Sequence, residues 1–299
     1  MTPRQALLLT VGVVAVSFSA IFIREANATG LVIAFYRNAV SAAVALPLAL
    51  ALRMDELRAL TRRQVGLAVL SGAILAAHFA LWIPSVKLTT VAASVTLVTA
   101  SPIFVAAGGR WLFGERVNRL TLIGISIGLV GAAVISGGDL GVSPRALAGD
   151  VLALAGAAAA AGYFLGGRHL RQDVSLLAYV GIVYPTTAIL LFPAAVLSGG
   201  RIVGFDARTW WMFVLMAAIP QGLGHTTFNY LLKEMDATLV SISILGEPVG
   251  STVLALALLG EVPPWSAVIG GFIVLAGIYI AIVGPSLAAR DPGAVAPLG

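Results

Sequence analysis

The sequence has no cysteine and very few charged residues. Of its 299 residues, 10% are charged and 59% are hydrophobic, whereas soluble domains are about 25% charged. The absence of cysteine excludes disulfides, thiolate metal sites and a cysteine nucleophile. The scarcity of charge excludes a water-soluble fold, so the lipid bilayer is the expected medium of the folded chain.

Apolar runs fill almost the whole sequence, and they are continuous rather than alternating. In a bilayer only helices and closed barrels satisfy every backbone N–H and C=O group, and barrel strands would alternate. The runs therefore predict an all-α membrane protein of ten transmembrane helices, with no separate soluble domain. The predicted spans are 6–23, 26–52, 64–86, 88–109, 120–138, 146–167, 174–200, 209–232, 237–260 and 262–287.

The basic residues indicate the orientation of these spans. With both termini in the cytoplasm, twelve of the 18 Lys and Arg residues fall on the inner side and five on the outer side, and Arg37 lies within a span. Cytoplasmic loops of membrane proteins carry such an excess. The sequence therefore predicts a multi-pass protein of the inner (plasma) membrane with both termini cytoplasmic. The net charge of +5 is read as this topology signal and not as a nucleic-acid-binding surface.

Two halves of the sequence match at an offset of 146 residues, which indicates a duplicated unit. The two histidines His78 and His225 align after a slip of one residue. Each unit has five predicted spans, so the second must enter the membrane from the opposite side, and the predicted repeats, 1–140 and 141–299, are inverted. The matching positions are Pro102 with Pro248, Gly114-Glu115 with Gly260-Glu261, Gly124 with Gly270, and Gly131 with Gly277.

Ionisable side chains at bilayer depth are costly, so each is a candidate functional residue. Arg37 and Glu247 lie near the middle of the second and ninth spans with opposite charge, which predicts a gating or charge pair. A structural clamp without substrate contact explains them equally well. His78 and His225 lie on either side of the midplane and are candidates to bind a carboxylate or carry a proton. Packing alone also accounts for either histidine.

Helical spacing adds neighbours to these residues, because positions four apart lie on one face. Trp82 follows His78 by one turn, and Asn229 follows His225. Together with Tyr163 and Ser243, they predict a substrate cavity with an aromatic wall and neutral hydrogen-bonding groups, although such residues also serve ordinary packing. Pro102 and Pro248 are predicted to kink their helices.

Three segments resemble one known family. They are Phe35-Tyr36-Arg37-Asn38, then Ser101-Pro102 followed by Gly114-Glu115-Arg116, and Glu247-Pro248 followed by Gly260-Glu261. In this arrangement they resemble the EamA branch of the drug/metabolite transporter superfamily over nearly the whole chain. The resemblance implies ten helices in inverted repeats, a central cavity and export of small metabolites, with neutral and aromatic amino acids as the favoured substrates, as in exporters of the YddG type.

The predicted function is therefore secondary transport by alternating access, with a small-molecule substrate and the lipid bilayer as partners and no cofactor or metal. The histidines and Glu247 permit proton coupling without requiring it. An efflux carrier for drugs or other metabolites with the same fold remains the alternative. A membrane enzyme is disfavoured, because the sequence has no Gly-x-Ser-Gly tetrapeptide and no aspartate at mid-depth. A channel is disfavoured because no selectivity element recurs, and no phosphate-binding loop for ATP is present.

Overall fold

The computed structural model describes residues 1–89, 91–114, 117–136, 143–260, 262 and 265–290, and this part of the chain is helical with short connections. The first half contains α1 Pro3–Glu25, α2 Gly30–Ala59, α3 Arg62–Leu88, α4 Val91–Val98, α5 Ser101–Phe113 and α6 Arg119–Ser136. The second half contains α7 Pro144–Leu170, α8 Leu176–Leu197, α9 Ala207–Met216, a π-helical segment Ala217–His225, α10 Thr226–Leu231, α11 Ala237–Ile244, α12 Glu247–Leu259 and α13 Trp265–Arg290.

Some predictions lie outside the described residues. They are the boundary between the repeats at 140 and 141, and the motif residues Glu115, Arg116 and Glu261.

Seven helical stretches in the described part are long and apolar enough to cross a membrane by length and composition. Two further apolar helices, Arg119–Val134 and Val268–Val283, are shorter. Large apolar side chains such as Trp111 and Leu197 are exposed, while polar residues such as Arg37 and Gln221 are fully buried. An apolar exterior around a polar interior is the distribution that a bilayer requires, so the chain is a multi-pass membrane protein.

Helix starts follow local sequence signals. Thr2 and Thr61 each form a capping box with the glutamine three residues later, which satisfies backbone N–H groups that have no partner in the first turn. Asp206 caps α9 by accepting a 2.7 Å hydrogen bond from the Thr209 backbone. This bond holds the pKa of the Asp206 carboxyl below its usual value, because it favours the charged form.

The later parts of the two halves have the same helix boundaries at the offset of 146. Helices α4 and α11 correspond residue for residue, and so do α5 and α12. Both α5 and α12 end at a glycine with positive φ, 67° at Gly114 and 68° at Gly260, a conformation that glycine adopts without strain. The duplication seen in the sequence is therefore also a duplication of local structure.

Two predicted spans are each broken into two helices. The span 88–109 contains α4 and α5, and the span 237–260 contains α11 and α12. Pro102 and Pro248 are the second residues of α5 and α12, so each break precedes its proline. A proline is tolerated there because the first helical N–H groups have no intrahelical partner, whereas an interior proline would lose a hydrogen bond. The predicted kinks are thus two-residue turns between consecutive helices, at residues 99–100 and 245–246.

The two halves pack on each other throughout. Helix α3 packs on α7, α2 on α8, α6 on α13, and α1 on the π-helical segment. Helices α6 and α13 meet through glycines: a Cβ added at Gly124 would lie 2.4 Å from the Ala281 backbone nitrogen, and one at Gly131 would lie 2.6 Å from that of Val274. As α6 advances, its contacts on α13 move towards lower residue numbers, so these counterpart helices run antiparallel.

Adding a methyl group at this contact should destabilise the protein. Gly124→Ala would push the α6 and α13 backbones apart, and overpacking of this kind typically costs about 1–3 kcal/mol. The matched control is Gly66→Ala, since a Cβ at Gly66 meets nothing within 4 Å. Thermal unfolding of the purified protein in detergent should show a lower midpoint for Gly124→Ala than for Gly66→Ala. Equal midpoints would contradict the described contact.

Candidate functional site

A small cavity lies where helices of both halves meet. Its volume is about 30 Å³, which is room for roughly two water molecules. Apolar residues such as Val16, Phe164 and Phe228 form much of its wall. The polar residues that line it are Ser19 from α1, His78 and Trp82 from α3, Ser101 from α5, His225 from the π-helical segment and Glu247 from α12.

One wall of the cavity is an imidazole stacked on an indole. The rings of His78 and Trp82 have centroids 5.7 Å apart and are inclined by 16°. The His78 Nδ1 atom is 2.9 Å from the Gly156 carbonyl oxygen on α7. A Cβ at Gly156 would lie 3.2 Å from that of Trp82, so the glycine allows α7 to approach this wall. The predicted pairing of His78 with Trp82 on one face of α3 is therefore present.

His225 reaches the same cavity from an irregularly wound segment. Its ring centroid is 6.4 Å from that of His78. The sequence predicts a regular helix over 209–232, but residues Ala217–His225 are π-helical around Pro220. Proline removes a backbone hydrogen bond from a helix interior, and π-helical turns occur frequently at functional sites.

The polar residues of this span have different partners. Gln221 contacts Arg37, His225 lines the cavity, and Asn229 donates a 2.6 Å hydrogen bond to the Tyr163 hydroxyl. Tyr163 lies beside His225, with centroids 6.5 Å apart. Neither Tyr163 nor Asn229 belongs to the cavity lining, so the pair supports His225 from outside the cavity.

Ser243 also lies outside the cavity lining. Its hydroxyl donates a 3.1 Å hydrogen bond to the Leu239 carbonyl of its own helix. Such bonding within a helix is common for serine in apolar surroundings. The substrate-binding role predicted for Ser243 has no geometric support in this structure.

Arg37 is fully buried and is held by neutral partners. Its Nε donates to Gln221 Oε1 at 2.8 Å, and its Nη1 donates to Ser19 Oγ at 3.3 Å. Its guanidinium lies 4.4 Å from the centroid of the Phe79 ring, which adds a cation–π interaction. Ser19 and Phe79 were not among the predicted site residues. In the sequence, Ser19 is a hydroxyl residue within the apolar run of the first span, and this feature could have indicated a buried polar contact.

Arg37 and Glu247, the predicted charge pair, form no ion pair within 4.0 Å in the described part of the chain, but they are close enough to attract each other electrostatically. In the described part of the chain, the ion pairs within 4.0 Å join other residues, which lie at or just beyond the ends of helices. Glu247 is 5% exposed and lines the cavity, and its Oε1 has no hydrogen-bond partner in that part. Arg37 instead bonds to Ser19, which lines the same cavity. Among the described residues, no group of three or more His, Asp and Glu is placed to hold a metal ion.

These features define a multi-pass helical membrane protein with a small, partly polar cavity where helices of both halves meet. The model of the EamA-like transporter family matches residues 4–137 and 147–283. The chain therefore belongs to the EamA-like transporter family, and this membership indicates a transporter.

Relatives of the chain are named as transporters. A probable amino-acid metabolite efflux pump of Salmonella typhimurium is 26% identical over 217 residues, which are 69% of this chain and 73% of that protein. A probable terminal-alkyne amino-acid exporter of Streptantibioticus cattleyicolor is 26% identical, covering 62% of this chain and 61% of that protein. An uncharacterized transporter of Archaeoglobus fulgidus is 26% identical, covering 66% and 68%.

A solved structure shares the fold. Its TM-score is 0.78 at 21% sequence identity, and the match covers 97% of this chain and 99% of that one. The arrangement of helices described above is therefore that of a protein whose crystal structure has been determined.

The contact between Arg37 and Gln221 should matter for stability. Gln221→Leu leaves a buried guanidinium N–H without its acceptor, which should cost about 1–3 kcal/mol of unfolding free energy. The double variant Arg37→Met with Gln221→Leu should recover much of this loss, because both partners become apolar. Melting curves in detergent measure both effects. A single variant as stable as the parent protein would contradict the assigned contact.

Proposed function

We propose that this protein exports neutral and aromatic amino acids across the inner membrane, by alternating access around the cavity described above. The observation that carries the proposal is the meeting of two histidines, an indole and a carboxylate in one small cavity between helices of both halves. The names of the relatives from Salmonella and Streptantibioticus support the amino-acid substrate class.

The proposed architecture has ten transmembrane crossings in two inverted repeats. Each of the pairs α4 with α5 and α11 with α12 supplies one crossing, and α9, the π-helical segment and α10 together supply another. The antiparallel contact of α6 with α13 supports inversion, because these are the fifth crossings of the two repeats. Inverted repeats around a midplane site are the usual basis of alternating access.

A cavity of about 30 Å³ is too small for an amino acid, so transport requires the helices around it to separate. Contacts between basic side chains and helix-end carbonyls hold them together. Lys87 Nζ donates to the Ala26 carbonyl at 3.1 Å, and Arg168 Nη1 donates to the Leu232 carbonyl at 3.0 Å. In the proposed topology Lys87 is outside and Arg168 inside, so one such contact opposes helix separation on each side of the membrane.

A carrier for drugs or other metabolites is the second candidate. The apolar part of the lining, which includes Val98, Phe164 and Ile244, favours any solute with an apolar body. Membrane enzyme and channel functions find no comparable support. The two carrier functions differ in which solutes are moved.

Flux assays test the proposed substrates. Proteoliposomes containing the purified protein should take up radiolabelled tryptophan, threonine or leucine saturably. A comparison of uptake with and without an imposed pH gradient tests whether transport is coupled to protons. His78→Ala and Trp82→Ala should each reduce this flux by about tenfold or more, because they remove the stacked wall of the cavity. Unchanged flux in both variants would refute the site, and no flux in folded parent protein would favour other metabolites.

The absence of native cysteine makes the proposed topology directly testable. Val203→Cys, in the exposed connection after α8, is expected on the outer side, and Gln172→Cys, after α7, is expected on the inner side. A membrane-impermeant maleimide applied to intact spheroplasts should label only Val203→Cys, and lysis should expose both. Labelling of Gln172→Cys alone in intact cells would reverse the orientation.

A further inference from the structure

The cavity has three buried polar atoms without a partner among the residues that the structure describes. They are Trp82 Nε1, His225 Nδ1 and Glu247 Oε1. Trp82 is 3% exposed and Glu247 is 5% exposed. A buried polar atom without a hydrogen bond is unfavourable and is rare in folded proteins. A ligand that pairs these atoms would therefore be stabilised in the cavity.

Glu247 forms no ion pair within 4.0 Å in the described part of the chain, and the cation that attracts it from a greater distance is Arg37. An ionised carboxylate only accepts hydrogen bonds, and a buried one is stable when a cation pairs with it. No Lys or Arg is among the described residues that line the cavity. Arg37 lies outside the cavity lining; its Nε and Nη1 donate to Gln221 and Ser19, while its Nη2 has no hydrogen-bond partner among the described residues. An ammonium group on a ligand would supply Glu247 with a cation at contact distance and a hydrogen-bond donor together.

The hydrogen bond of His78 adds a second acceptor. The Gly156 carbonyl only accepts, so the hydrogen between the two atoms belongs to His78 Nδ1. In the neutral ring, Nε2 is then the acceptor. The indole N–H of Trp82 is a donor only. The polar groups of the cavity thus suit a ligand with an ammonium group and, elsewhere on the molecule, a hydrogen-bond acceptor.

We propose that Glu247 binds the ammonium group of the transported solute, and that the cavity selects organic amines with an apolar or aromatic body over carboxylic acids that lack an amine. This inference rests on the proposed transport function and specifies the chemistry of its substrate. It gives Glu247 a direct contact with the solute in place of the ion pair with Arg37. The apolar residues Phe164 and Phe228 enclose the body of the solute.

Three indole compounds separate the contributions of amine and carboxylate. Calorimetric titration of the purified protein should detect binding of tryptamine and tryptophan, and indole-3-propionate should bind about tenfold or more weakly, because a charge-assisted hydrogen bond is lost. Glu247→Gln should weaken tryptamine binding by about tenfold or more, whereas Glu247→Asp, which keeps the charge, should weaken it less. Glu234→Gln is the matched control, since Glu234 is exposed and pairs with Arg4 at the protein surface.

The outcomes distinguish this inference from the proposed function. Tryptamine binding that depends on Glu247, without tryptophan flux, would support the amine site and refute amino-acid export. If Glu247→Gln changes neither tryptophan flux nor tryptamine binding, amino-acid export is supported and the amine site at Glu247 is refuted. If size-exclusion chromatography shows that Glu247→Gln does not fold, the test is the relative affinity of the parent protein for the three indole compounds. Equal binding of tryptamine and indole-3-propionate, or no amine binding, overturns the proposal.

Discussion

The burial of one guanidinium constrains the centre of this structure. Arg37 has no exposed surface, and a cation within an apolar bundle needs partners on several sides. Ser19 on α1, Phe79 on α3 and Gln221 in the π-helical segment supply them. These residues bring α1, α2, α3 and the π-helical segment together at one depth. Because Ser19 also lines the cavity, the site is built directly against the buried charge.

Close helix contact is the second constraint, and it depends on small residues. In a bilayer there is little hydrophobic drive between helices, so packing and hydrogen bonds hold them together. Glycines on α6 and α13 bring these backbones into contact. Gly156 similarly brings α7 against the indole wall. The rigid α6–α13 contact lies away from the cavity, whereas the cavity is bordered by broken and irregular helices, which are the elements expected to move during transport.

The local sequence predicted much of the fold. Continuous apolar runs predicted helices, and the offset of 146 residues predicted the paired α4–α5 and α11–α12 units together with their terminal glycines. The site was predicted in part. His78, Trp82 and His225 do meet at one cavity, because spacing along a helix determines which residues share a face. Residues Ala217–His225 are π-helical around Pro220, a local irregularity that the continuous apolar run does not predict.

The sequence by itself determined that the chain is an apolar helical protein with a duplicated plan, since composition, run length and repeats are local or linear properties. Only the tertiary structure decided which buried polar groups pair. Arg37 contacts Gln221, 184 residues away, and not Glu247. Such partners depend on how helices distant in sequence rotate and approach one another. The same packing leaves Glu247 Oε1 at the cavity without a hydrogen-bond partner among the described residues, which helical spacing alone does not reveal.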